Sequence, residues 1–239
     1  MEMTEKQWSI KYYHTYERWI SYYASGYRKL YKSIYNQAQQ MIIEVGRDSL
    51  SNTHPKVLLC GTAAAETTLT FVRHVLKINK LTEINIIDIH EYPIKLSKAK
   101  VMQDPSIDTE RVVFLQANAL VLPFETGSID LIETDLFLLF FSTEDKALLF
   151  REWSRLLSPK GVITTREFFP KGIISRISCS IKKKMLKAKE ITTFRTSRLE
   201  LESLAQQAGL ETKFAPVKIG FLKLATLSHM VAWKPSDNS

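Results

Sequence analysis

The stretch HPKVLLCGTAAAE, residues 54–66, constrains the fold more than any other part of the chain. A short apolar run breaks there at one glycine into a row of small residues and then into a helical pattern. Val57 to Cys60 are four apolar residues bounded by Pro55 and Gly61, which is the pattern of a parallel strand buried on both faces. The segment from Ala65 to Lys77 reads as the helix that follows. A strand that turns this tightly into a helix presents the helix's unpaired N–H groups and positive dipole end to the crevice above the sheet. In open α/β sheets that crevice is where nucleotides bind. A turn with no ligand can use the same single glycine, so the rest of the chain has to decide.

The alternation continues. Ile84 to Ile89 (INIIDI) is a second strand carrying Asp88 near its end, and Pro93 opens the next helix at a position where a missing N–H is tolerated. An acid at the end of the second strand of such a unit can accept both hydroxyl protons of a ribose; a helix-capping role is the alternative. A third strand, Val112 to Gln116, leads into Asn118, Ala119 and a turn around Pro123 and Gly127, and a fourth strand runs from Ile129 to Glu133. Ser142 with Asp145 three residues on makes an N-cap pattern. It opens a helix whose Leu148, Leu149, Trp153, Leu156 and Leu157 are expected to face inward. Pro159 and Gly161 stop it, and Val162 to Phe168 is the fifth strand. Ser197 with Glu200 caps the last helix, and Gly209 ends it. This order implies a mostly parallel sheet with helices on both faces.

Two flanking segments stand apart. Tyr12, Tyr16, Trp19 and Tyr23, then Tyr27, Tyr31 and Tyr35, keep helical steps of three and four, with Gly26 marking a break between two helices. They form either an amphipathic aromatic helix packed on the domain, or a lid whose ring faces suit a cation. Between Lys171 and Arg198 nine cations meet one acid, Glu190, while Ile174, Ile177, Ile181 and Met185 keep helical spacing. This segment is a solvated face, a cap over an anionic substrate, or a patch for acidic lipid or nucleic acid. The net charge of +8 favours an anionic partner without choosing among these. Cys60 and Cys179 give neither a disulfide framework nor metal-ligand spacing. The polar first residues and the shortness of the longest apolar run, Leu136 to Phe141, lead to the expectation of a soluble, cytoplasmic protein.

Two stretches carry a resemblance. LQANALVLPFETGSIDLI and FREWSRLLSPKGVITTREFF resemble the adenine-binding strand end, proline turn, fourth strand and fifth-strand approach of class I S-adenosylmethionine-dependent methyltransferases, in their small-molecule branch. LESLAQQAGLE and HMVAWKP resemble that family's last helix and last strand. The resemblance implies an α/β, Rossmann-like fold with a seven-stranded sheet whose last two strands form an antiparallel hairpin. Residues 51–239 would be the cofactor-binding domain, with a basic insertion at about 170–196; the aromatic spacing before it makes residues 1–50 the expected helical lid.

Carried over by position, the resemblance places Gly61, Thr62 and Ala63 along the methionine part of S-adenosylmethionine, Asp88 on the ribose hydroxyls and Ile89 on the adenine face. Asn118 and Ala119 would meet the adenine edge, and Asp135 and Leu136 the reacting methyl. Apart from the resemblance, the lid reading of the aromatic stripe adds Tyr16 as a cofactor contact. The family's acid two residues before the first glycine is Leu59 here, and its later glycines are Ala63 and Ala65. Glu66 is the expected substitute for that acid, toward the cofactor's amino group. The implied activity is metal-free methyl transfer to oxygen or nitrogen of a small, anion-compatible acceptor, leaving S-adenosylhomocysteine. The reaction rests largely on alignment. Asp135, Glu167 and His14 are candidates for a base. RNA-directed methylation and cofactor binding without catalysis are the alternatives.

Overall fold

The computed structural model describes residues 24–62, 64–169, 193–194, 196–219 and 222–235. His14, Tyr16, Ala63 and most of the basic segment therefore lie outside the described residues, as do the tyrosines before residue 24. Helix α1 (Ala24–Glu44) is followed by β1 (Lys56–Cys60), α2 (Ala65–Ile78), β2 (Glu83–Asp88), α3 (Glu91–Met102) and β3 (Val112–Gln116). Then come β4 (Ile129–Thr134), α4 (Thr143–Leu156), β5 (Leu157–Phe168), α5 (Arg198–Gln207), β6 (Glu211–Ile219) and β7 (Leu222–Trp233).

The seven strands form one sheet in the order β3-β2-β1-β4-β5-β7-β6. The first five pair in parallel, while β7 runs antiparallel to both β5 and β6. The chain winds outward from β1 in one direction and from β4 in the other, so the crevice at their carboxyl ends is a topological switch point.

Each strand feeds both cores because side chains alternate. Val57, Leu59, Ile84, Leu131, Val162 and Val231 pack beneath α1, α2 and α3. Leu58, Cys60, Ile132, Ile163, Met230 and Ala232 pack beneath α4 and α5. On α1 the buried stripe is Tyr27, Tyr31, Tyr35, Ala38 and Ile42, a run of steps of three and four. Gly26 lies inside α1 rather than between two helices.

Ser142 Oγ accepts from Asp145 N at 3.1 Å, capping α4 as its sequence implies. Leu148, however, points outward and is 46% exposed. The buried stripe of α4 is Leu149, Phe150, Trp153 and Leu156, and Leu148 falls one step, about 100°, outside it. Leu157 is buried as the first residue of β5, which begins there rather than at Val162 because Leu157 pairs with Ile129. Gly161 permits that approach: a Cβ on it would stand 2.7 Å from Ile129 O. At α5 the capping box of Ser197 and Glu200 is complete, and Gly209 closes the helix with φ +76°. No helix among the described residues is long and apolar enough to cross a membrane.

Candidate active site

The switch point is built first by Gly61. Its φ of +82° is a left-handed conformation that disfavours a side chain, and a Cβ there would meet the Phe137 ring at 2.7 Å. Its N–H donates to Ile87 O at 2.8 Å, tying the end of β1 to β2. Thr62 then turns toward Asp88. Its N–H and its hydroxyl donate to Asp88 Oδ2 at 2.9 and 3.0 Å, and His90 N donates to Oδ1 at 2.9 Å. Burial nevertheless raises the Asp88 carboxyl above its ordinary range, the three hydrogen bonds working in the opposite direction. Ala64, in extended conformation just before α2, gives the helix no side-chain cap.

Beyond Asp88, Ile89 is 45% exposed. Asn118 is exposed and its Oδ1 accepts from Leu120 N at 3.0 Å, shaping the turn that presents buried Ala119. Glu66, by contrast, is buried between two cations, paired with Arg28 from α1 and 3.4 Å from Lys100 Nζ of α3.

The end of β4 carries a denser polar cluster. Asp135 accepts from the Tyr31 hydroxyl and, at 3.0 Å, from Arg166 Nε. Arg166 Nη1 lies 2.7 Å from Glu133 Oε1, and the other oxygen of Glu133 accepts from Thr164. The Tyr31 and Tyr35 rings lie 5.7 and 5.1 Å from the guanidinium carbon, roofing it with their π faces. Arg166 is 1% exposed and Glu133 2%. Burial pushes the Glu133 carboxyl up to about 7 even with Arg166 opposing. Leu136 has φ 51°, unusual for a branched residue, and its N–H donates to Arg166 O at 3.0 Å. Arg166 thus holds the Asp135–Leu136 turn by both side chain and main chain.

Glu167 points to the opposite face, accepting from Leu138 N at 3.3 Å and from the Thr165 hydroxyl at 3.1 Å. Burial pushes it up to about 8. It supports the loop after β4 from beneath, whereas Asp135 faces α1. Arg166, Glu133, Thr164 and His229 are additional polar residues that the sequence reading did not single out. A charge at every second position of an apolar strand was the available signal: Glu133 and Asp135 in IDLIETD, and Arg166 in ITTREFF.

These features fit S-adenosylmethionine: an acid at the end of β2, a glycine turn at the switch point, and the uncapped amino end of α2 beside it. Among the described residues, no group of three or more His, Cys, Asp or Glu is arranged to hold a metal ion.

The fold and site define a class I S-adenosylmethionine-dependent methyltransferase. Residues 26–186 match the ubiE/COQ5 methyltransferase family, and the chain belongs to that family. No curated protein matches its sequence. Among solved structures it is similar to a Galdieria sulphuraria protein assigned as a sarcosine dimethylglycine methyltransferase, with TM-score 0.60, 17% identity, and 84% of this chain and 86% of that one covered. The geranyl diphosphate C-methyltransferase of Streptomyces coelicolor A3(2) gives TM-score 0.57 at 13% identity, covering 82% and 75%. The magnesium protoporphyrin IX methyltransferase of Synechocystis PCC 6803 gives 0.55 at 12%, covering 83% of each chain. At these identities the likeness is one of fold.

Proposed function

We propose that this methyltransferase acts on oxygen or nitrogen of a small organic acceptor, with Asp88, Gly61 and Thr62 holding the cofactor and Asp135 bordering the transfer site. The cofactor supplies an electrophilic methyl on a sulfonium. The residues of the chain supply position and field. The observation that carries the reading is the continuity of the edge: Asp88 on β2, Gly61 after β1 and Asp135 after β4 lie at one level on adjoining strands, from the expected ribose end to the expected transfer end. Asp135, held by Arg166 and Tyr31, is pre-oriented and needs no reorganisation during reaction. The tyrosine rings of α1 close that end from above, excluding water and offering π faces to positive charge.

The test is incubation of the purified protein with methyl-labelled S-adenosylmethionine and a cell extract separated into small molecules, RNA and protein. Label entering the small-molecule fraction is expected; label confined to RNA or protein contradicts the reading.

A further inference from the structure

The carboxyl edge has a row of residues on one face. Leu59 pairs with Glu133 and Glu133 with Thr164, so two residues further along Gly61, Asp135 and Arg166 come level. Arg166 in turn is the Cα partner of His229 on β7. Val162 and Val231 lie in the core beneath α1, and alternation puts Arg166 and His229 on that same side. With strands about 4.8 Å apart, Arg166 stands about 10 Å from Gly61 and His229 one strand beyond. If the cofactor's methionine end passes Gly61 and its methyl borders Asp135, the next places along the row belong to the acceptor.

Those places carry unused hydrogen-bonding groups. The Nε of Arg166 is taken by Asp135 and Nη1 contacts Glu133, but Nη2 has no hydrogen-bond partner among the described residues. Nor does Nε2 of His229, a residue 2% exposed. Leaving a buried polar group unpaired costs about 1–3 kcal/mol, and these two stand on residues that are Cα partners across the β5–β7 pair.

Electrostatics selects the occupant. Arg166 already lies against two carboxylates, so a further anion would face Glu133 and Asp135 as well as the guanidinium. His229 is kept neutral, its pKa pushed down to about 3 by burial and by Arg166, so one ring nitrogen can offer a lone pair. An uncharged hydroxyl matches both groups at once, accepting from Arg166 Nη2 and donating to His229 Nε2. The two tyrosine rings above the guanidinium favour a flat molecule.

Resting on the small-molecule reading above, we infer that Arg166 and His229 form the acceptor subsite and that it takes a flat acceptor presenting a neutral hydroxyl group. Helix α1, which carries Tyr31 and Tyr35, is then the element that lifts to admit it.

The experiment uses a matched series on the wild-type protein saturated with S-adenosylhomocysteine: benzyl alcohol, toluene and benzoate, followed by calorimetry or ligand-observed NMR. Benzyl alcohol is expected to bind at least tenfold more tightly than the other two. His229→Gln is expected to weaken benzyl alcohol at least tenfold while S-adenosylhomocysteine affinity changes less than twofold; Arg166→Lys, which also loses the Nε bond that holds Asp135, is expected to weaken benzyl alcohol at least tenfold. Equal binding of all three probes, preference for benzoate, or no binding of benzyl alcohol overturns the proposal even if neither variant folds. A crystal structure with the probe away from Arg166 and an ordered water joining Nη2 to Nε2 overturns it too. Failure of S-adenosylhomocysteine itself to bind wild type removes the cofactor reading beneath it, an outcome distinct from probe failure on a protein that binds S-adenosylhomocysteine.

Discussion

Leu59 and Glu133 are Cα partners across the parallel β1–β4 pair. Both lie on the face beneath α1, so the carboxylate that the first strand lacks stands on the neighbouring strand, where Arg166 can reach it. The leucine is therefore consistent with its setting: a second acid at 59 would face Glu133 in the buried row without a cation of its own. Leu59→Asp is expected to cost on the order of 3 kcal/mol or more, through an uncompensated buried charge. Denaturant titration measures it, and a loss below about 1 kcal/mol would remove the argument.

Gly61 meets two independent demands, a left-handed backbone and the ring of Phe137. Gly61→Ala should lower stability by about 1–3 kcal/mol and displace Phe137. A thermal melt matching wild type would show that the turn relaxes freely.

The two raised glutamates give stability a pH signature. Glu167 has an ordinary value of 4.5 and a folded value of about 8. Between these values the folded state holds the proton and the unfolded state has released it, so this group's contribution is full below 4.5 and is lost as pH rises through 8. Glu133 acts in the same direction over 4.5 to about 7. Glu167→Gln should match wild type near pH 5 and exceed it on the order of 4 kcal/mol by pH 9. A difference independent of pH would contradict the buried, protonated carboxyl.

Tyr31 joins α1 to the site through Asp135. Tyr31→Phe keeps the ring over Arg166 and removes only that bond, so a loss of about 1–2 kcal/mol is expected. Amide exchange along α1 should speed up, while exchange in β1 and β2 should not. Unchanged exchange in α1 would show that the helix is held by packing alone.

Much of the fold was legible because periodicity and punctuation agreed. Pro55 and Gly61 bracket β1, Ser142 and Ser197 cap their helices, and each of the five parallel strands coincides with an apolar run. Leu148 misled because an apolar residue adjoining a helical stripe has the same local sequence whether or not a neighbour covers it. At the proposed site, the positions of Gly61 and Asp88 follow from strand order, and that of Thr62 from the resemblance. The Arg166 cluster did not, because it depends on which strands adjoin: Glu133, Arg166 and His229 are far apart in sequence and meet only through the order β4-β5-β7. Glu66 reads as a ligand to the cofactor from its place in the first turn of α2, and the fold adds Arg28 and Lys100 as its partners from two other helices.

The most direct test of the account is calorimetric titration of the protein with S-adenosylhomocysteine, repeated on Asp88→Asn with both melting transitions measured. Asp88→Asn keeps the side-chain shape and removes the charge, and it should weaken binding by about tenfold to a hundredfold, the worth of hydrogen bonds to a charged group. Undiminished affinity in a folded Asp88→Asn protein would contradict the placement of the cofactor along this edge.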